Sequence, residues 1–192
     1  MTRSETTPSP RRQELLEAAY AYALRSGLGE LSLRPLAEEI GSSPRVLLYL
    51  FGSKDDLIRS LLARARASEL EALRHAGDRV GRTEGVGAAA RVLWDWLSDD
   101  AHRALLRLWV ESYARSLIDP DGPWAGFARA TVEDWLALLA EHQPAELRAN
   151  EAGRTQRTLV LAVLRGALLD LLATGDTART TAALHLQLDA LP

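Results

Sequence analysis

The sequence predicts an all-α protein, and three observations carry that expectation. Of the 192 residues, 36 are Leu and 31 are Ala, against 8 Val and 3 Ile, so helix formers far outnumber the β-branched residues that favour strands. Apolar positions recur at spacings of three and four along most of the chain, the period of one face of a helix. Turn residues break that period at Gly27 and Gly29, Gly41, Gly52, Ser98-Asp99-Asp100, Asp119-Pro120-Asp121-Gly122-Pro123, Gln143-Pro144 and Gly175-Asp176. A chain of this length makes one domain or a small two-part protein and buries a sizeable core.

Each element follows from local signals. Residues 1–10, polar and rich in Ser, Thr and Pro, read as a disordered tail. Leu15, Ala18, Ala19, Tyr22 and Ala23 mark a first helix at about 11–27. Ser32 caps a short second helix with Pro35 in its first turn, where a missing N–H costs little; Leu36, Ala37 and Ile40 form its buried stripe and Gly41 closes it. Ser43-Pro44 repeats that signal and opens a third helix that reaches about Leu50 and closes at Gly52. The capping box Ser53-Lys54-Asp55-Asp56 starts a long helix ending near Ala76. Gly77, Gly81, Gly85 and Gly87 mark a loop, and helices follow at about 86–98, 101–117, 123–142, 154–174 and 177–190, about nine in all.

Composition excludes several functions. There is no cysteine, which removes disulfides, thiolate nucleophiles and Cys-based zinc sites, and the four His at 75, 102, 142 and 185 show no His-x-x-x-His pair. No metal and no cofactor is expected. No run of ~18 uncharged apolar residues and no basic-then-apolar leader is present, so a cytoplasmic protein without a membrane span is expected. No nucleophile–base pair, Gly-rich phosphate loop or cofactor fingerprint is visible, so the expectation is not an enzyme; Glu111 with His102 is the nearest approach to an acid–base pair. The net charge of −3 means that any nucleic-acid surface must be local.

Such a surface is suggested between residues 32 and 54. Ala37 and Gly41, four apart between two short helices, suit the close approach and sharp turn of a helix-turn-helix, although a pair of small core helices has the same spacing. From Ile40 to Lys54 there is no acid, while Arg45 and Lys54 both lie in that strip of a chain that is 26% charged. Lys54 is the one lysine among 23 basic residues. It sits in the first turn of its helix, where the macrodipole disfavours a cation by ~0.3–1 kcal/mol; an opposing phosphate would rationalise it, and so would solvation beside Asp55 and Asp56.

All five Trp (94, 96, 109, 124, 135) fall between residues 94 and 135, with Tyr113 and Phe127. Such aromatics at helical spacing build either core or a pocket for an apolar organic molecule. The 154–174 helix is apolar nearly all round, so it must be covered on two sides, by its own domain and a partner or wholly inside a core.

The stretch Leu15–Leu57, with S-L-R-x-L-A-E-E-I-G-S-S-P-R-V-L-L-Y-x-F-G-S-K-D-D-L at residues 32–57, resembles the DNA-binding domain of the TetR family of bacterial transcriptional regulators, over about a quarter of the chain. The resemblance implies an all-helical homodimer: a helix-turn-helix domain at 11–52, a connecting helix at 53–76, and a ligand-binding and dimerisation domain at 77–192. It implies that Arg34, Arg45 and Val46 face bases and that Ser43, Tyr49 and Lys54 touch phosphate, with Pro44 on the same surface. Two departures stand out: Leu48 and Leu50 occupy positions where the family commonly carries Tyr and His, which removes two polar groups from the phosphate side. The family's inducer region coincides with Trp94, Trp109, Tyr113, Phe127, Thr131 and Trp135, and its four-helix dimer bundle with Leu161, Leu164, Leu168, Leu172, Leu184 and Leu188.

The implied function is that of a ligand-responsive, sequence-specific DNA-binding regulator, a repressor released from a palindromic operator by a small apolar or aromatic molecule. The competing readings are a helical small-molecule-binding protein or enzyme without DNA binding, and a helical adaptor. The adaptor is favoured by residues 1–60 holding eight basic and eight acidic side chains.

Overall fold

In a computed structural model the described residues, 9–77 and 85–191, form ten α-helices and no strand. They are α1 (Pro10–Ser26), α2 (Leu33–Glu39), α3 (Pro44–Phe51), α4 (Lys54–Gly77), α5 (Gly85–Ser98), α6 (Arg103–Ile118), α7 (Phe127–Glu141), α8 (Ala145–Arg148), α9 (Glu151–Thr174) and α10 (Thr177–Asp189), with a 3-10 turn at Asp100–His102. The all-α class read from composition is the class observed. No helix among the described residues is long and apolar enough to cross a membrane.

Local signals account for most boundaries. The Oγ atoms of Ser9 and Ser43 accept the N–H of Arg12 and Val46, each at 3.3 Å, and a proline follows each cap. Ser9 and Pro10 therefore belong to α1 rather than to a tail; the rest of the expected tail, residues 1–8, lies outside the described residues, as does Gly81. Gly87 is helical rather than part of a loop, because the apolar period of α5 begins at Val86 and runs past it, and Gly85, with φ +87°, is the residue at which α5 starts. The α7 helix starts at Phe127, four residues later than the sequence suggests, after turns through Gly126. One turn of helix, α8, carries no periodic signal and was not expected, while α9 begins at Glu151 because Asn150 Oδ1 caps it, accepting from Gly153 N at 2.8 Å.

The contacts divide the chain into two compact units. The first takes residues up to Arg66 together with Leu108–Ala128. Its core is built from Leu15, Ala19 and Ala23 of α1, Leu36 and Ala37 of α2, Leu47 and Phe51 of α3, and Leu57 and Leu61 of α4. Arg12 ties three of these helices: Nε donates to Leu50 O at 3.3 Å, Nη2 to Ser60 Oγ at 3.1 Å, and the guanidinium lies 4.7 Å above the Phe51 ring. In the same unit, Ser116 Oγ accepts Ala128 N at 3.1 Å, which satisfies an orphan N–H in the first turn of α7.

The second unit takes Ala67–Arg107 and Arg129 onward. Here α9 packs against α5, α8 and α10, burying Leu93, Trp94, Val160, Leu164 and Leu171. The indole N–H of the fully buried Trp94 donates to Thr181 Oγ1 at 2.8 Å, and Arg91 pairs with Asp189. Buried Arg157 donates to the Gln143 side chain and to Arg148 O at the end of α8.

Gly153 makes that junction possible: a Cβ there would lie 1.8 Å from Leu147 O, a backbone atom that has nowhere to go. Gly153→Ala should therefore lower unfolding stability by about 3 kcal/mol, whereas Gly87→Ala, whose Cβ would meet Leu191 at 3.7 Å and Leu188 O at 4.0 Å, ordinary contacts both, should raise it by about 0.5–1 kcal/mol; urea unfolding of both variants checks the pair.

Candidate nucleic-acid interface

The eight residues of α3 split cleanly by exposure. Leu47 and Phe51, one turn apart, are buried, while Pro44, Arg45, Val46, Leu48 and Tyr49 face outward. Tyr49 is 86% exposed. It stands away from the helix it would otherwise support. Val46 and Leu48 are 38% and 40% exposed, an apolar surface that water alone does not explain.

The turn between α2 and α3 is backbone-determined. Gly41 has φ +62°, in the left-handed region, and Ser42 N donates to Ala37 O at 2.8 Å across it. Ser43 is half-buried and its Oγ is engaged with Val46 N; that bond uses the oxygen as acceptor and leaves the hydroxyl proton for donation. Arg34 and Lys54 are exposed, and both line a concavity of about 550 Å³ bounded by residues 29–34, Pro44 and Lys54. Ser53 Oγ accepts Asp56 N at 3.0 Å and donates to Asp56 Oδ2 at 2.6 Å. The hydroxyl bond first, and then Arg59, hold the Asp56 carboxyl below its usual range, so this acid stays ionised and directed into the capping box beside Lys54. Arg34, Ser43, Pro44, Arg45, Val46, Tyr49 and Lys54 thus all belong to one unit, and none of them is buried.

The aromatic residues selected from the sequence are divided between the units. Trp109, Tyr113 and Phe127 lie in the first, where the rings of Trp109 and Tyr113 are 5.1 Å apart and tilted by 36°. Trp94, Thr131 and Trp135 lie in the second and are buried, and the Trp135 indole donates to Glu69 Oε1 at 3.1 Å. Glu69 is itself 4% exposed, and no sequence signal marked it. Glu111 and His102 are each engaged in their own unit: Glu111 accepts Leu28 N and Gly29 N, and His102 stacks on Trp96 with centroids 4.1 Å apart.

The leucines chosen for a dimer face are used differently. Leu161, Leu164, Leu168, Leu184 and Leu188 are buried inside their own unit and Leu172 is half-buried. The apolar side chains that α9 and α10 leave outside include Leu159, Ala162, Leu169, Ala173 and Leu186. A helix apolar on every side has no sequence mark for the face its own core takes, which is why the periodicity selected the inner leucines.

Comparison with known proteins agrees with this geometry. The chain resembles the multidrug binding protein EbrR complexed with imidazole at 28% identity, covering 100% of this chain and 98% of that one with a TM-score of 0.68. The EbrR complex with proflavin is 27% identical, with 93% and 99% covered and a TM-score of 0.68. A TetR transcription regulator from Haloarcula marismortui, 17% identical with 93% and 94% covered and a TM-score of 0.69, shares the fold. Among curated proteins none matches the chain. The family model for bacterial regulatory proteins of the tetR family matches residues 15–61, a stretch that holds α2 and α3.

Proposed function

We propose that the protein is a ligand-responsive, sequence-specific DNA-binding regulator that acts as a homodimer, represses from a palindromic operator in the cytoplasm, and is released by a small planar aromatic molecule. The observation that carries this reading is the outer surface of α3 and its flanks: Arg45, Val46 and Tyr49 point outward in a tetR-type domain, and no carboxylate occurs from Ile40 to Lys54. A guanidinium pairs with the O6 and N7 atoms of guanine, and a valine methyl meets that of thymine. Lys54, Ser43 and Tyr49 supply the donors for phosphate, and Arg34 stands at the start of α2 beside them.

Exposed Leu48 favours a second reading, a small-molecule-binding protein that does not bind DNA, since a leucine gives phosphate nothing. Duplex binding separates the two. The ligand class is supported by the EbrR complexes with imidazole and proflavin and by the buried Trp109 and Phe127 of the first unit. Dimerisation through α9 and α10 is supported by the apolar side chains these helices leave uncovered. Two recognition helices would then read half-sites about one helical turn, or a small multiple, apart.

Against a duplex selected by the wild type from a random pool, Arg45→Ala should cost ~1–3 kcal/mol and relax the preference at one base pair. Lys54→Ala should weaken all sequences alike and flatten the salt slope by about one; equal slopes and unchanged preference in both variants contradict the assignment. Leu169, 49% exposed, and Leu164, 1% exposed, give a paired test of the dimer: Leu169→Arg should yield a folded monomer by sedimentation, and Leu164→Arg an unfolded chain. A wild type that sediments as a monomer at micromolar concentration contradicts the dimer. Proflavin should quench the tryptophan emission of DNA-free protein saturably, and Trp109→Leu and Phe127→Leu should weaken that binding severalfold; quenching indifferent to both variants contradicts the ligand site.

A further inference from the structure

We propose that Glu111 is a positioning residue for DNA binding: from α6 its carboxylate holds the α1–α2 loop and so shapes the cleft that Arg34 and Lys54 line. The proposal rests on the regulator reading above and concerns contacts within the first unit alone.

The carboxylate is bidentate on backbone. Glu111 Oε2 accepts Leu28 N at 2.9 Å and Oε1 accepts Gly29 N at 2.6 Å, across more than 80 residues of sequence. These two N–H groups follow Gly27, which ends α1, so no helix supplies them with an acceptor. A charged acceptor makes both bonds stronger than neutral ones.

The loop is shaped to receive that side chain. Gly29 does not need its glycine for backbone reasons, since its φ is not in the left-handed region. It needs it for space: a Cβ would fall 2.3 Å from Glu111 Oε1 and 2.5 Å from Arg115 Nη2. At Gly27, whose φ is +75°, a Cβ would also stand only 3.0 Å from Glu111 Oε2. The Gly-Leu-Gly sequence at 27–29 is therefore a mould for one carboxylate, with buried Leu28 as its anchor.

What the loop positions is the start of α2. Ser32 stands at the N-cap, yet its side chain makes no capping bond, and α2 is seven residues long. A helix this short, with no local cap, takes its position from what holds its ends. Residues 29–34 line the concavity together with Pro44 and Lys54. Glu30 is among them, so a loop free to rotate would bring a carboxylate toward the place where Lys54 meets phosphate. Fixing Gly29 fixes both the approach of Arg34 and the distance of Glu30.

Glu111→Gln is the test, because its amide keeps one acceptor and turns an N–H donor against the other loop N–H. Amide hydrogen exchange of Leu28 and Gly29 in the DNA-free variant should accelerate by about ten- to a hundredfold. Affinity for the selected duplex should fall about tenfold at unchanged salt slope, with the fraction of active protein in a stoichiometric titration equal to that of the wild type. A purely structural role would lower the active fraction instead. Gly29→Ala, which displaces the carboxylate from the other side and leaves Glu111 in place, should give the same pair of changes. Accelerated exchange with duplex affinity within twofold of wild type overturns the positioning role, and unaltered exchange overturns the clamp itself. A wild type that selects no duplex overturns the regulator reading, and exchange at Leu28 and Gly29 then still decides whether the clamp exists.

Discussion

An isolated helix of eight residues is not stable in water, and α3 is a helix of eight residues. Every outward contact it makes is only as well aimed as the two side chains beneath it, Leu47 and Phe51, and the one cation that ties its end, Arg12. That arginine gives its Nε proton to Leu50 O, one of the carbonyls a helix end leaves without a partner, and covers the Phe51 ring with its planar face. Arg12 also reaches Ser60 of α4, so α1, α3 and α4 are fastened at one point. A lysine there would supply one charge but neither the plane nor the forked donors.

The starts of α3 and α4 are legible in the sequence because they are local events, whereas Ser32, read as the cap of α2, makes no capping bond. Ser43-Pro44 and Ser53 with Asp56 are caps in which donor and acceptor lie three residues apart, and the structure shows those bonds. Ser9 carries the same signal one residue before Pro10, and it was passed over only because the polar residues preceding it resemble a tail. The one-turn helix α8 was illegible for the opposite reason: four residues carry no period, and its place is set by Arg157 and Gly153 pressing on it from α9. In the sequence Glu111 stands out only beside His102, as the nearest approach to an acid–base pair, but its partners are backbone N–H groups, which look the same at every position of a sequence. The available hint was Gly29, a second glycine two residues after the one that ends α1.

The C-terminal half shows how much an apolar surplus hides. Trp94 sits fully buried with its N–H met by Thr181, so one of the six residues read as pocket-forming is committed to holding α5 on α10. In α9 the leucines that satisfy the core and those left outside differ by only about a third of a turn, an offset that composition does not register. Burial of one face leaves the other for solvent or for a second protein, and only packing against α5, α8 and α10 decides which is which.

The unit that carries the helix-turn-helix is discontinuous in the chain: residues up to Arg66 are completed by Leu108–Ala128, which bring buried Leu108, Trp124 and Phe127 as well as the acceptor for Leu28 and Gly29. That unit is consequently not a cassette. A recombination joining residues 1–66 to a foreign C-terminal half would hand over α3 without part of its own core, leaving two loop amides without their acceptor. Point changes on the outer face of α3 disturb none of these contacts, because Arg45, Val46, Leu48 and Tyr49 are exposed.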